Sequence, residues 1–251
     1  MEFDRNVTHY LNIISMNKNL NVAKGNMYGF ITHTWNPIKG RCYHQCSYCY
    51  MNNLLTPKYQ CSPVLVEYEF NKDLNEGARI FVGSSIDMFA NDVPDKWILR
   101  VLDHCAGFND QRAGQKKILY LFQSKNPSRF LQFLNHRVFK HSIIGTTIET
   151  NRFYPEIMAN SPRIEDRANA MKEISEKGFC TMITAEPLLA FDKTDFVEII
   201  RQCNPRFINI GRNSERKISL PEPTSAQVKE LVAELREITN VKIKSNAKSW
   251  L

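Results

Sequence analysis

From about residue 27 onward, hydrophobic positions along the chain alternate between two textures. Short runs rich in β-branched and aromatic residues occur at Tyr28–Trp35, Arg79–Ser84, Ile118–Gln123, Ser142–Ile148, Phe179–Ala185 and Arg206–Gly211. Such runs have the composition of buried strands. Between most of them, apolar residues recur every three to four positions, which predicts helices. The clearest spans Ala226–Ile238: Val228, Leu231, Val232, Leu235 and Ile238 share one face, and Thr224 with Gln227 has the form of a capping box. Lys96–Cys105 carries a stripe of Trp97, Ile98, Val101, Leu102 and Cys105, and Ile164–Glu176 stops before Gly178, a natural C-terminal cap. Asp192–Cys203 and Ser128–Arg137 also read as helices.

Strand and helix alternating in this way predict parallel βαβ units. The candidates are a doubly wound open sheet and a complete or partial barrel. Each strand run is followed directly by a small, polar or charged residue: Asn36, Ser85, Lys125, Glu149, Glu186 and Arg212. Ligands gather at the carboxyl ends of parallel strands, and six polar ends converging on one rim favour the barrel. The expected architecture is a partial (β/α)6 TIM-type barrel over residues 27–251, with a C-terminal helix and an N-terminal extension over residues 1–26. An open side would let it admit a large substrate.

Composition narrows the class more than the function. The 251 residues are 43% apolar and 24% charged, values of a folded globular chain, with no repeat and no low-complexity segment. No apolar run approaches the ~20 residues of a membrane span, and no signal-peptide pattern opens the chain, so a cytosolic protein with no membrane partner is expected. Thirty-three basic against 26 acidic residues give a net charge of +7, which favours anionic partners. The basic groups are scattered: Arg112, Lys116, Lys117, Arg129, Arg137, Lys140, Arg212, Arg216, Lys217, Lys242, Lys244 and Lys248 form no block.

Of seven cysteines, Cys61, Cys105, Cys180 and Cys203 stand apart and read as small buried hydrophobes, whereas Cys42, Cys46 and Cys49 crowd into one stretch. The odd count and the lack of an export signal argue against a disulfide framework. The spacing C-x3-C-x2-C places three soft thiolates where they could bind three corners of a [4Fe–4S] cluster, leaving the fourth iron open to a small molecule. A zinc site is the alternative, with His44 completing a Cys3His set. Structural zinc sites usually draw paired ligands from two knuckles, and this sequence has no second pair.

The segment Arg41-Cys42-Tyr43-His44-Gln45-Cys46-Ser47-Tyr48-Cys49-Tyr50 resembles the cysteine signature of the radical S-adenosylmethionine (SAM) superfamily, with Tyr48 in the aromatic position. Thr34-Trp35-Asn36-Pro37, the segment Phe81–Phe89 and Ala185-Glu186-Pro187-Leu188-Leu189 are similar to the phage Gp37/Gp68-like family, which is related to spore photoproduct lyase. The similarity runs from about Tyr28 to Ser214, with a shorter cysteine loop than in many relatives.

The resemblance implies SAM on the open iron, an external one-electron donor, and reductive cleavage to a 5′-deoxyadenosyl radical that abstracts hydrogen from substrate. It further implies that Tyr48 and Tyr50 pack near cluster and adenine. Gly83, Ser84 and Ser85 would meet the SAM amino group, with Asp87 assisting. Lys125 would reach the SAM carboxylate, Thr147 and Glu149 the ribose hydroxyls, and Glu186 either SAM or substrate. Each has a plainer reading: a strand-ending turn for Gly83–Ser85, a helix cap for Asp87, a solvated loop lysine for Lys125. Kinship with photoproduct lyase and the positive charge point to a nucleic acid or nucleotide-derived substrate. The competing readings are a peptide substrate and a non-catalytic zinc-binding module.

Overall fold

The computed structural model describes residues 19–53, 61–76, 79–112, 114–215 and 218–251. Most of the extension predicted over residues 1–26 lies outside these residues, as do Arg216 and Lys217.

Among the described residues ten strands form: β1 (Asn21–Val22), β2 (His33–Trp35), β3 (Ile38–Lys39), β4 (Val64–Leu65), β5 (Arg79–Val82), β6 (Leu119–Gln123), β7 (Ser142–Thr147), β8 (Thr181–Ala185), β9 (Phe207–Ile210) and β10 (Asn240–Ile243). Eight of them make one sheet in the order β1-β2-β5-β6-β7-β8-β9-β10, and β3 with β4 makes a separate hairpin. From β2 to β10 every pairing in the large sheet is parallel, and only β1 runs antiparallel, along its edge. The expected partial barrel is therefore what forms, with a seventh parallel strand. That strand, β10, follows the last long helix; it is short and polar (Asn240, Lys242), so it carried no hydrophobic signal.

The α-helices among the described residues are α1 (Asp95–Asp110), the single turn α2 (Pro155–Met158), α3 (Ile164–Glu176), α4 (Lys193–Cys203) and α5 (Ser225–Arg236). Their apolar stripes cover the outer face of the sheet, where Ile80, Val82, Tyr120, Phe122, Ile144, Ile183 and Ile208 meet residues such as Leu102, Met171, Ile200 and Leu231 in one core. The capping box of Thr224 and Gln227 is present at the start of α5. The helix expected at Ser128–Arg137 is instead a 3-10 helix over Pro127–Phe133, followed by a second at Arg137–His141. Pro127, Phe130 and Phe133 are its buried residues, and a repeat of three suits the three-residue turn of a 3-10 helix. None of the helices described is long and apolar enough to cross a membrane.

The inner face of the sheet holds a smaller core of Leu121, Ile143, Met182 and Phe207, onto which Tyr28 and Ile31 fold. The predicted first strand is thus shorter than expected. Tyr28 to Ile31, between β1 and β2, instead pack against the inner face of the sheet, where Phe30 lies edge-on to Phe207 at 5.4 Å. Lys242 lies over Phe30 and Lys244 over Tyr28. This segment fills part of the barrel interior.

Candidate functional site

The cysteine loop is launched by the β3–β4 hairpin. Gly40 adopts φ 135°, and a Cβ there would sit 2.8 Å from the Pro63 Cα, so the close approach of the two arms requires glycine. The loop is then pinned by backbone: Ser47 N–H donates to Ile157 O at 3.0 Å, Asn160 N–H to His44 O at 3.1 Å, and Cys49 N–H to Cys46 O at 3.2 Å. Asn160 Nδ2 also donates to Tyr43 O and Asn52 Nδ2 to Cys46 O. Between the cysteines, His44 is buried and donates through Nε2 to Asp87 Oδ2 at 2.8 Å. That same oxygen accepts from Ser124 Oγ at 2.9 Å and Lys125 N–H at 2.7 Å, while Asp87 Oδ1 accepts from Phe89 N–H. Burial would raise the Asp87 carboxyl, but His44 and these donors hold it below its ordinary range. Asp87, expected to assist SAM or to cap a helix, ties the cysteine loop to the ends of β5 and β6.

Cys46 is buried and Cys42 and Cys49 are half-buried, none of them in a disulfide. Burial, aided by the Asp87 carboxylate, pushes the Cys42 thiol up to about 12, and burial also raises Cys49. Such thiols stay protonated until a metal displaces the proton. Among the described residues, no three His, Cys, Asp or Glu side chains converge on a single metal ion. Three soft thiols on one loop are the donor set a cluster would take, one thiolate on each of three irons. Of the remaining cysteines, Cys105 and Cys203 are buried as expected, Cys180 is half-buried, and Cys61 is exposed beside the loop, its carbonyl accepting from Arg41 N–H at 2.8 Å.

Strand alternation sorts the expected cofactor residues onto one surface. Leu121, Ile143, Met182 and Phe207 face inward, so the positions two further on, Gln123, Gly145, Thr184 and Asn209, face inward too. Thr147 continues the same ladder in β7 and Glu186 in β8. At the end of β5, Gly83 takes φ 78° and starts a turn in which Asn36 Oδ1 accepts from Ser84 Oγ (3.1 Å) and from Ser85 N–H (3.0 Å). Ser85 Oγ is buried without a hydrogen-bond partner. Tyr50 donates to Ser84 O at 2.6 Å, joining the cysteine loop to this turn.

Tyr48, Lys125 and Glu149 meet directly. Tyr48 Oη donates to Glu149 Oε1, and Lys125 Nζ donates to both, with the lysine also over the tyrosine ring at 4.8 Å. Lys125 is accordingly no solvated loop lysine. Glu149 does not open onto the mouth as its strand-end position suggested: it has no exposed surface, and its Oε2 accepts from the wholly buried Arg167 Nη1 at 2.8 Å. Arg167 also donates from Nη1 to Thr147 O (3.0 Å) and from Nε to Pro162 O (2.8 Å). Burial would raise the Glu149 carboxyl, but the charges of Arg167 and Lys125 hold it at about 2. Burial, with the Glu149 charge beside it, raises the Tyr48 phenol well above its ordinary value. Sequence reading missed Arg167, although a signal existed: it sits on the same stripe as Ile164, Ala168 and Met171, where an arginine is buried only when paired.

Glu186 lies on the far side of the mouth. It accepts from Asn26 Nδ2 (2.5 Å), Lys244 Nζ (2.5 Å) and Asn246 Nδ2 (3.2 Å), linking three segments distant in sequence. Thr147 Oγ1 accepts from Gln123 Nε2 at 3.2 Å, and Gln123 Oε1 accepts from Tyr28 Oη at 2.8 Å. Arg212, also a strand-end residue, turns outward to Glu222 (2.5 Å) and Trp250.

No family model matches the chain, and no curated protein matches it in sequence. Solved structures do match in fold. Spore photoproduct lyase, in a mutant with bound AdoMet and dinucleoside spore photoproduct, superposes with a TM-score of 0.64 at 12% identity over 91% of this chain and 79% of that one. A second mutant of that lyase gives 0.62 at 12% identity, over 90% and 80%. Streptococcus suis SuiB bound to precursor peptide SuiA gives 0.52 at 13% identity, over 84% of this chain and 48% of SuiB. At these identities the likeness is one of fold, and the fold is the partial TIM-type barrel of the radical SAM proteins.

Proposed function

We propose that the chain is a radical SAM enzyme with a [4Fe–4S] cluster on Cys42, Cys46 and Cys49. The observation that carries this reading is the cysteine loop, anchored through His44 and Asp87 beside the Lys125–Glu149–Tyr48 group at the carboxyl ends of a partial barrel. A cluster held by Cys42, Cys46 and Cys49 would supply one-electron cleavage of bound SAM, the source of a radical for hydrogen abstraction. The protein's own part is binding, orientation and the exclusion of water. Lys125, the least buried member of its ion group, holds the SAM carboxylate. Ser84 and the unpartnered Ser85 hydroxyl, presented by the Gly83 turn, meet the amino group. Tyr48 and Tyr50 flank cluster and adenine, and Thr147 takes a ribose hydroxyl. Glu149 positions Lys125 and Tyr48, Asp87 positions the cysteine loop, and Glu186 faces substrate.

For substrate we infer a nucleotide-derived molecule, delivered to the mouth, with reduction by an external one-electron donor. Support comes from the dinucleoside bound by spore photoproduct lyase, the fold match that spans more of its partner than SuiB does. The net charge of +7 adds less than it promised. Arg112, Lys116, Lys117, Arg137 and Lys140 precede β6 and β7, at the opposite end from the mouth, while Arg129 and Arg152 pair with Asp95 and Asp192. That distribution favours a short substrate over a duplex gripped along its phosphates. Kinship with the phage Gp37/Gp68-like family rests on the Thr34–Pro37, Phe81–Phe89 and Ala185–Leu189 segments and belongs to the same reading.

Anaerobic reconstitution tests it. We expect a brown protein containing iron and sulfide that, on reduction with dithionite, converts SAM to 5′-deoxyadenosine. Cys42→Ala, Cys46→Ala and Cys49→Ala each lose the cluster, and Cys105→Ala keeps it. A colourless protein with one zinc per chain overturns the reading.

A further inference from the structure

We infer that Ser161 tunes the reduction potential of the cluster by donating a hydrogen bond to the Cys46 sulfur. The inference rests on the cluster assignment proposed above and adds a residue outside the cysteine loop. Ser161 lies between α2 and α3, 115 positions from Cys46 in sequence, yet its Oγ stands 3.3 Å from Cys46 Sγ. Both residues are buried, at 9% and 4% exposure. The contact is built rather than incidental. Ala159 takes φ 46° and ψ −119°, a conformation that L residues rarely adopt, and so reverses the chain after α2. The reversal lets Asn160 clasp the loop at Tyr43 and His44 and lets Ser161 N–H donate to Met158 O at 3.0 Å, which aims the hydroxyl at the sulfur.

The direction of this bond follows from the metal. As a thiol, Cys46 has two partners, with the Met158 carbonyl at 4.0 Å as the other acceptor in reach. As an iron-bound thiolate it has no proton, so the carbonyl ceases to be a partner and the serine hydroxyl becomes the donor. A donor to a ligating sulfur stabilises negative charge there. The one-electron-reduced cluster carries one more negative charge than the oxidised form, so the reduced form gains more and the potential rises. The electron comes from an external one-electron reductant, and the serine thereby widens the range of donors able to deliver it.

The test compares wild type, Ser161→Ala and Ser161→Thr after anaerobic reconstitution, with iron and sulfide counted in each. Midpoint potentials come from dithionite titrations followed by electron paramagnetic resonance. We expect full clusters in all three, a midpoint shifted to more negative potential in Ser161→Ala, and one near wild type in Ser161→Thr, which keeps the hydroxyl. An unchanged midpoint in a fully loaded Ser161→Ala overturns the inference and leaves the cluster assignment standing. So does loss of the cluster in Ser161→Ala alone, since the residue then serves assembly. Absence of iron from the wild type removes the cluster assignment, and this inference with it.

Discussion

Arg167 has no exposed surface, and its guanidinium faces an equally buried carboxylate, Glu149, at 2.8 Å. Two charges taken out of water are costly, and the cost is offset only while each finds its partners. Arg167→Ala is therefore expected to destabilise the protein by about 3–5 kcal/mol in denaturant titration, because Glu149 loses its deepest counter-charge. Arg167→Lys should recover only part, since one ammonium cannot reach Glu149, Thr147 O and Pro162 O as the planar fork does. The sign of the pH dependence follows from the same pair. Glu149 titrates near 2 in the folded state, against about 4.5 for an ordinary glutamate. Its contribution is fully present above that ordinary value and is lost as pH falls through the folded one. Asp87, also depressed, works in the same direction. Stability should thus fall between about pH 4.5 and 2, and Glu149→Gln should flatten that slope. Equal slopes in the two proteins would show that the carboxylate is not held as described.

Among the elements, α5 offers the cleanest local test. Thr224 and Gln227 cap it reciprocally, far from the cysteine loop, so Thr224→Ala should cost about 1 kcal/mol of stability and leave iron content untouched. The turn after β9 is more exacting. A Cβ on Gly211 would lie 2.7 Å from the Glu186 carboxyl carbon, so Gly211→Ala must displace Glu186 from Asn26, Lys244 and Asn246. If Glu186 faces substrate, this variant keeps its cluster and SAM cleavage but loses turnover of substrate. Intact turnover would place Glu186 outside the substrate site. The Pro127–Phe133 segment teaches a different lesson. Apolar residues three apart satisfy both an α-helix and a 3-10 helix, and packing against α3 chose the latter.

For the molecule as a whole, the barrel is closed by side chains where it lacks strands. Tyr28, Phe30 and Ile31 fill its interior, and Asn26 bonds across to Glu186 and Ser245. Tyr28→Ala should therefore cost about 3–5 kcal/mol, the range for emptying a buried aromatic site, with the loss read from the unfolding midpoint. A loss below 1 kcal/mol would mean that the interior collapses freely around the gap. Lys125→Ala, at the upper end of the barrel, separates binding from folding. It should lower SAM affinity roughly tenfold to a hundredfold, the worth of a charge-assisted hydrogen bond, while the cluster persists.

Hydrophobic patterning determined the parallel architecture, four of the five α-helices among the described residues and the polar rim, because burial on one face of a strand or helix leaves a periodic trace. The three clustered cysteines were legible for the same local reason: their spacing lies within one loop. Tertiary structure alone decided the rest. It made Asp87 an anchor for His44 rather than a cap, turned Glu149 inward onto Arg167, and set Ser161 against Cys46. It also recruited β10, whose parallel pairing to β9 supplies what its own polar sequence does not. Each of these depends on residues far apart in the chain meeting across the ends of parallel strands. A pairing between such residues leaves no period in the sequence, so only the folded arrangement could reveal it.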